Sequence, residues 1–225
     1  MIKLLRNIGL LLGLLWFAVL VNAQVNDAGL WTEIDFTKKL NQSFSVRLSN
    51  ELRLNENLSE PGTINNELGF IYRFNKKYRI SATYRFANKR LIDNSYSQRH
   101  RFYVDITASE TVKPLQLVFR ARFQQQFKDI CCSEYGLIPD YYARAKFSLK
   151  WRVSHHIEPF VSSELFFPLN KLQNRNIDEY RITGGIEYTF NLRHSVEVFY
   201  MYNREFGRRR IYDSYIAGIA YHYNF

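Results

Sequence analysis

The chain has 225 residues, 16% of them aromatic, a formal net charge of +10 and a mean hydropathy of −0.33. This length fits one domain or a single closed barrel. No stretch after residue 23 approaches the roughly 20 apolar residues of a membrane helix, but alternating strands hide their apolar residues from mean hydropathy. The only cysteines are the adjacent Cys131 and Cys132, which excludes an intramolecular disulfide framework.

The N-terminus has the three parts of a secretory signal peptide. Lys3 and Arg6 give a positive start, residues 8–21 form an apolar core, and residues 21–23 (Val-Asn-Ala) form a small-residue cleavage site. We expect residues 1–23 to be removed, leaving residues 24–225 as the mature domain; an uncleaved membrane anchor is the alternative. Removal leaves a net charge of about +8. Export argues against a nucleic-acid partner and favours anionic lipid headgroups or lipopolysaccharide phosphates.

The mature chain contains eleven segments in which apolar and polar residues alternate, the pattern of strands with one apolar face. In the second segment, Phe44 and Leu48 lie on one face and Arg47 and Ser49 on the other. The segments run to about 11–14 residues, twice the usual globular strand and enough for the roughly 10 residues of a tilted membrane strand. In chain order they lie near residues 28–38, 42–55, 63–74, 78–90, 98–109, 115–127, 139–151, 156–167, 177–190, 195–206 and 213–225.

The connections alternate between tight turns and longer loops. Short periplasmic turns and longer outer loops are typical of bacterial outer-membrane barrels, which have even strand numbers. Eleven segments would start the first strand at the outer face. We therefore predict an all-β, transmembrane, antiparallel up-and-down β-barrel of 10–12 strands and leave its parity open. The tight connections are residues 39–41, 75–77, 110–114, 152–155 and 191–194, and the longer ones are 56–62, 91–97, 128–138, 168–176 and 207–212.

Aromatic residues recur ten positions apart on the apolar face of three segments. Ten residues span about 33 Å along a strand, which projects to roughly 25 Å at a tilt of about 40°. That is the height of the apolar band between the aromatic girdles of a membrane barrel. The predicted girdle pairs are Tyr141 with Trp151, Tyr180 with Phe190, and Tyr215 with Phe225.

The opposite face of the same segments is rich in charge, mostly arginine. An Arg or Lys at mid-depth in lipid costs about 2–4 kcal/mol, so these residues are expected to face the lumen. Two interpretations stay open: a plug of salt bridges with the interleaved acids, or a channel that attracts anions because the cations outnumber the acids. The predicted lumen-facing basic residues are Arg47, Arg73, Arg79, Arg85, Arg120, Arg122, Arg144 and Arg181.

No residue stands out as catalytic. None of the five histidines, His100, His155, His156, His194 and His222, has a serine or carboxylate at a spacing that singles it out. No cofactor or metal site is predicted.

Three further motifs carry expectations of their own. The pair Gly184-Gly185 indicates a kink or tight packing in the ninth strand. Cys131-Cys132 in the third outer loop could form a vicinal disulfide or an interchain bridge, or could be two thiols without catalytic use. Arg208, Arg209 and Arg210 make the last outer loop a candidate contact for lipopolysaccharide phosphates.

Residues 28–57 (AGLWTEIDFTKKLNQSFSVRLSNELRLNEN) and the turn at residues 74–81 (FNKKYRIS) carry a family resemblance. Together with the signal peptide, they resemble a Gram-negative outer-membrane barrel family catalogued as a domain of unknown function. The resemblance covers essentially the whole mature chain. It implies architecture and brings no catalytic residues.

The last strand resembles the signal by which the barrel-assembly machinery recognises its clients. Gly218, Tyr221 and Tyr223 follow the spacing of that signal, and Phe225 closes the chain, whereas Ile216 stands where a polar residue is usual. The resemblance implies that the assembly machinery is a partner.

The sequence therefore predicts a non-enzymatic outer-membrane barrel, either structural or a narrow, mostly plugged pore with a basic lumen. An outer-membrane enzyme acting on lipid A or phospholipid is one alternative. A secreted, soluble barrel that binds a small apolar ligand is the other. The oligomeric state stays open.

Overall fold

The computed structural model describes residues 25–55, 57–91, 93–128, 138–170, 177–206 and 212–225. These residues form eleven strands closed into one barrel, which confirms the predicted all-β class and strand number. No helix among them is long and apolar enough to cross a bilayer. The strands are β1 (Val25–Lys39), β2 (Phe44–Asn55), β3 (Glu60–Arg73), β4 (Tyr78–Arg90), β5 (Tyr96–Val112), β6 (Leu115–Lys128), β7 (Asp140–Trp151), β8 (Ile157–Pro168), β9 (Glu179–Thr189), β10 (His194–Glu205) and β11 (Tyr212–Asn224).

The barrel closes through one parallel strand pair. Each strand pairs antiparallel with its neighbours in sequence, but β1 pairs parallel with β11, with Val25 opposite Tyr212 and Thr37 opposite Asn224. This seam departs from the wholly antiparallel expectation. It follows from the odd strand number, because alternating directions make the first and last of eleven strands run the same way.

The two ends of the barrel differ in their connections. We call the end with the tight connections after β1, β3, β5, β7 and β9 the turn rim, and the opposite end, where β1 begins, the loop rim. Three turns begin with an asparagine, Asn41, Asn75 or Asn191, whose side-chain oxygen accepts bonds from the backbone N–H groups two and three residues later. Ser154 does the same in a fourth turn. These side chains fix the hairpins locally.

The barrel turns its apolar side chains outward. Phe70 and Ile106 are 58% and 59% exposed, whereas Ser49 and Asp105 on the opposite parity are 3% and 7% exposed. Most of the fully buried residues are polar or charged, the reverse of a soluble core. An apolar outer surface with a polar interior is what lipid on one side and water on the other require. This is the orientation that the alternating pattern predicts.

Two inward-facing glycines make room for phenylalanine rings. Gly185 lies between Phe160 of β8 and Phe199 of β10, its register partners. A Cβ on Gly185 would lie 2.6 Å from the carbonyl oxygen of Val198 and 2.8 Å from the ring of Phe160. A Cβ on Gly218 of β11 would overlap the ring of Phe199. The predicted tight packing of the glycine pair in β9 therefore belongs to Gly185.

We expect Gly185→Ala to lower the free energy of unfolding by about 1–3 kcal/mol, because the added methyl group meets backbone and forces the strands apart. Gly184→Ala is the matched control, since its Cβ would lie 4.0 Å from the nearest atom. Denaturant titration of the protein refolded in lipid vesicles, followed by tryptophan fluorescence, measures both. Equal losses for the two variants would contradict this packing.

Candidate functional site

A cavity lies inside the barrel and extends from the loop rim past mid-height. It has a volume of about 480 Å³ and is lined by inward side chains of β1 to β10. Among the described residues, twelve Arg and Lys side chains and nine Asp and Glu side chains line it. The cavity wall therefore has an excess of three positive charges.

Six of the eight basic residues predicted to face the lumen line this cavity: Arg47, Arg85, Arg120, Arg122, Arg144 and Arg181. The other two lie elsewhere. Arg73 and Arg79 are register partners at the ends of β3 and β4 that meet at the turn rim, and both are exposed. They share the inward parity, but their strands end there, so solvent surrounds them.

On the β2–β5 wall, each buried carboxylate holds an arginine. Glu51 accepts two bonds from Arg53, at 3.0 and 2.9 Å. Glu67 pairs with Arg85 and accepts a 2.7 Å bond from the hydroxyl of Tyr103, which reaches across β4. Arg85 also lies 4.0 Å from Glu51, which links the two ion pairs. Such hydrogen-bonded pairs are the way in which buried charges are compensated.

The β5–β8 wall continues this network. Arg122 forms a two-bond pair with Asp105, at 2.6 and 2.8 Å. Glu164 of β8 accepts bonds from Arg144 of β7 at 3.0 Å and from Arg120 of β6 at 2.6 Å. One carboxylate therefore joins three strands of the wall.

An aromatic side chain from β1 narrows the lumen. The guanidinium of Arg53 lies 3.7 Å from the ring centroid of Trp31. Arg181 of β9 also approaches this ring, with its guanidinium carbon 5.4 Å from the centroid, so the contact spans the two intervening strands β10 and β11. Arg181 also lies 4.6 Å from the ring centroid of Phe166. Cation–π contacts therefore complete a network that crosses the lumen as well as lining it.

Charges of the same sign meet directly across neighbouring strands. Register pairs of two cations are Arg85 with Arg101, Arg120 with Lys146, and Arg122 with Arg144, all on β4 to β7. The acids Glu158, Glu187 and Glu197 are register partners on β8, β9 and β10. Of these acids, Glu197 lines the cavity, whereas Glu158 and Glu187 are paired with Arg152 and Lys150.

A serine, a histidine and an aspartate also form a row across β10, β11 and β1. Ser195 is the register partner of His222, and His222 is the register partner of Asp35, with its Nδ1 3.9 Å from an Asp35 oxygen. The sequence cannot show this row because its members come from three strands. The Ser195 hydroxyl donates to Glu187, however, and Asp35 pairs with Arg47. These three side chains therefore belong to the hydrogen-bonded wall of the barrel and do not form an assembled nucleophile and base.

Three of the other histidines, His100, His156 and His194, have ordinary polar partners. His100 faces outward near the loop rim and shares a 2.7 Å hydrogen bond with the Tyr84 hydroxyl. His156 and His194 lie at the turn rim and bond to the Thr189 carbonyl at 2.7 Å and the Tyr221 hydroxyl at 2.5 Å. The described residues contain no group of three His, Cys, Asp or Glu side chains that could hold a metal ion.

All six residues of the predicted girdle lie on the outward parity of their strands. Tyr141, Tyr180 and Tyr215 lie toward the loop rim, and Trp151, Phe190 and Phe225 lie at the turn rim. The turn-rim residues are more than half exposed and are joined by further rings: Tyr188 contacts Phe190 and Tyr223 contacts Phe225, with centroids 4.9 and 4.4 Å apart.

Three predicted features lie outside the described residues. They are the signal peptide at 1–23, the cysteine pair Cys131 and Cys132, and the basic loop residues Arg208, Arg209 and Arg210.

A closed barrel with apolar side chains outward and charges in its lumen has the architecture of an outer-membrane β-barrel. The fold is shared with the NanC porin at 11% identity, covering 88% of this chain and 98% of that chain with a TM-score of 0.53. It is also shared with LpxR from Salmonella typhimurium at 8% identity, covering 85% and 87% with a TM-score of 0.53. The chain belongs to the family DUF2490, described as a protein of unknown function, whose model matches residues 28–213. The resemblance predicted from the sequence is thereby confirmed. No curated protein matches the chain in sequence.

Proposed function

We propose that this protein is a non-enzymatic barrel of the outer membrane that forms a narrow, largely plugged pore with a preference for anions. The observation that carries the proposal is a cavity with twelve cationic and nine anionic side chains among the described residues, crossed by ion pairs and cation–π contacts. The ion pairs supply the plug, and the excess of cations supplies the preference.

The ion pairs of the buried acids support a plugged lumen. Glu51, Glu67 and Glu164 are each 5–6% exposed and each is bonded to at least one arginine, so they are fixed in the wall. Trp31 and Arg181 meet across the lumen. Ordered side chains in these positions leave room for small solutes only, as in other small barrels whose interiors are filled.

The anion preference follows from the same arrangement. A mobile ion experiences the net charge of the wall, and among the described residues of this cavity the cations exceed the acids by three. Low-dielectric walls strengthen that field within a narrow passage.

Three partners complete the proposal. The outward apolar face and the aromatic girdle support contact with outer-membrane lipid. Arg208, Arg209 and Arg210 would contact lipopolysaccharide phosphates. The C-terminal strand, from Gly218 to Phe225, would be recognised by the barrel-assembly machinery during insertion, after export directed by residues 1–23.

The two alternatives receive less support. An enzyme acting on lipid A or phospholipid would need its polar residues where acyl chains or headgroups reach them, whereas Ser195, His222 and Asp35 face the lumen. A soluble barrel that binds an apolar ligand would turn its apolar side chains inward, and those of this barrel are outside.

Planar-bilayer recording of the refolded protein tests the proposal. We expect small conductance steps whose reversal potential in a KCl gradient shows preference for chloride. Lys146→Gln removes a cavity cation and should reduce that preference, whereas Lys77→Gln in a turn should not change it. A cation-selective current would contradict the electrostatic assignment. A silent bilayer, with the barrel shown to be folded, would contradict the pore.

A further inference from the structure

We propose that Arg101 is the centre of an oxyanion-binding site in the lumen, built for a small dianionic solute of the phosphate class. This inference rests on the proposed function, because the solute must enter the lumen from the aqueous side. The net charge of the cavity predicts only a preference for anions. A site at Arg101 specifies the class of anion and the residue that binds it.

Arg101 lies among cations. It faces the cavity from β5, directly opposite Arg85 of β4. Like charges placed opposite each other on neighbouring strands repel and destabilise a sheet. The charge of Arg85 is offset by its ion pair with Glu67. Glu67 forms no ion pair with Arg101.

The hydrogen bonds of Arg101 go to a neutral group. Its Nε and Nη2 atoms donate to the same amide oxygen of Gln126, at 3.0 and 2.5 Å. Gln126 is 6% exposed, so this amide is fixed in the wall and orients the guanidinium. A guanidinium has five N–H donors, and three therefore remain for another acceptor. In the described part of the chain, no ion pair joins Arg101 to a carboxylate.

The arginines around Arg101 already form ion pairs with acidic side chains. The cationic neighbours of Arg101 in the lumen include Arg85, Arg144, Arg53 and Arg122. Each of these four is ion-paired, with Glu67, Glu164, Glu51 and Asp105 respectively. Within this group Arg101 alone lacks a counter-charge, and a bound anion would supply it.

The geometry favours an oxyanion with two or more oxygens. A planar guanidinium binds carboxylate and phosphate through parallel N–H bonds, which a spherical halide cannot match. Lys146 lines the same cavity from β7, opposite Arg120, and no hydrogen bond or ion pair is found for it in the described chain. The excess of three charges suits a dianion better than a monoanion. The cavity of about 480 Å³ admits a molecule of that size.

Calorimetric titration of the detergent-solubilised protein with inorganic phosphate, at constant ionic strength set with NaCl, tests the site. We expect saturable binding to the wild type that Arg101→Gln weakens at least tenfold. Arg101→Lys should weaken phosphate binding less, because lysine keeps the positive charge and loses only the planar arrangement of N–H donors. Lys77→Gln, in a turn at the opposite rim, should bind as the wild type does.

The unfolding temperature gives a second measurement that separates binding from folding. Without phosphate, Arg101→Gln should unfold no earlier than the wild type, because it removes the repulsion with Arg85. Phosphate should raise the unfolding temperature of the wild type and leave that of Arg101→Gln unchanged. Equal phosphate affinities in the two proteins, or no saturable binding to the wild type, would overturn the site.

These outcomes are distinguishable from failure of the pore. An anion-selective current from a wild-type protein that binds no phosphate would refute the site at Arg101 and keep the pore. Saturable, Arg101-dependent binding to a folded protein that carries no current would support the site and refute the pore.

Discussion

Glu164→Gln is expected to lower the free energy of unfolding by about 3–5 kcal/mol, the range for removing one partner of a buried ion pair. Glu164 is 6% exposed, and its Oε1 atom accepts bonds from Arg120 at 2.6 Å and Arg144 at 3.0 Å. Glutamine keeps the size of the side chain but leaves Arg120 and Arg144 without their shared carboxylate. Urea titration of the protein refolded in vesicles measures the loss.

The control for this prediction is an ion pair in water. Lys77 and Glu110 are 2.6 Å apart at the turn rim, and both side chains are more than half exposed. Solvent screens such a pair, so Glu110→Gln should leave stability unchanged within error. The double variant Glu164→Gln, Arg120→Gln should recover part of the loss, because it removes one of the stranded cations. A loss from Glu164→Gln no larger than that from Glu110→Gln would show that the lumen network does not hold the barrel together.

Phe147→Arg is expected to lower the free energy of unfolding in lipid by about 2–4 kcal/mol, the cost of an arginine on the lipid face near mid-depth. Phe147 lies in the middle of β7, faces outward and is 51% exposed. Its neighbour Lys146 faces the cavity, so Lys146→Arg should cost little although it places the same side chain one residue away. Phe147→Leu reports the cost of losing the ring alone.

The pair of variants tests the orientation of the whole barrel. Equal effects of arginine at positions 146 and 147 would mean that both faces meet water. The effect of Phe147→Arg should also fall for equivalent substitutions closer to either rim, because the cost declines toward the membrane surfaces. An effect that does not depend on depth would contradict a bilayer around this face.

The strands were predictable because one physical constraint acts along every one of them. A strand with lipid on one side and water on the other must alternate, so the apolar parity of β2 and β4 is visible in the sequence. The ends were less certain. Residues 98–109 were expected to form the fifth strand, whereas β5 runs from Tyr96 to Val112. Glu110 and Thr111 are polar, and together with Val112 they continue the ladder into a two-residue turn.

The contacts of the candidate site were not predictable in the same way. Alternation places Arg85, Arg101 and Arg144 on the inner face, but the register of one strand against the next decides which charges meet. Trp31 meets Arg181 only because β1 closes on β11, a pairing between residues distant in sequence. Arg73 and Arg79 share the inward parity and still miss the cavity, because parity carries no information about depth.

The parallel seam has a consequence for how the chain can be rearranged. Val25 begins at the loop rim and Phe225 ends at the turn rim, so the two are separated by the height of the barrel. Circular permutation joins the first and last strands of a domain with a short linker where their free ends are neighbours. In this barrel the linker would have to cover about 35–40 Å, the projection of a 15-residue strand tilted about 40°. The linker would have to pass through the lumen, where Trp31 contacts Arg181, or cross the lipid acyl chains with its backbone polar groups unpaired. A permuted version therefore requires deletion or addition of one strand.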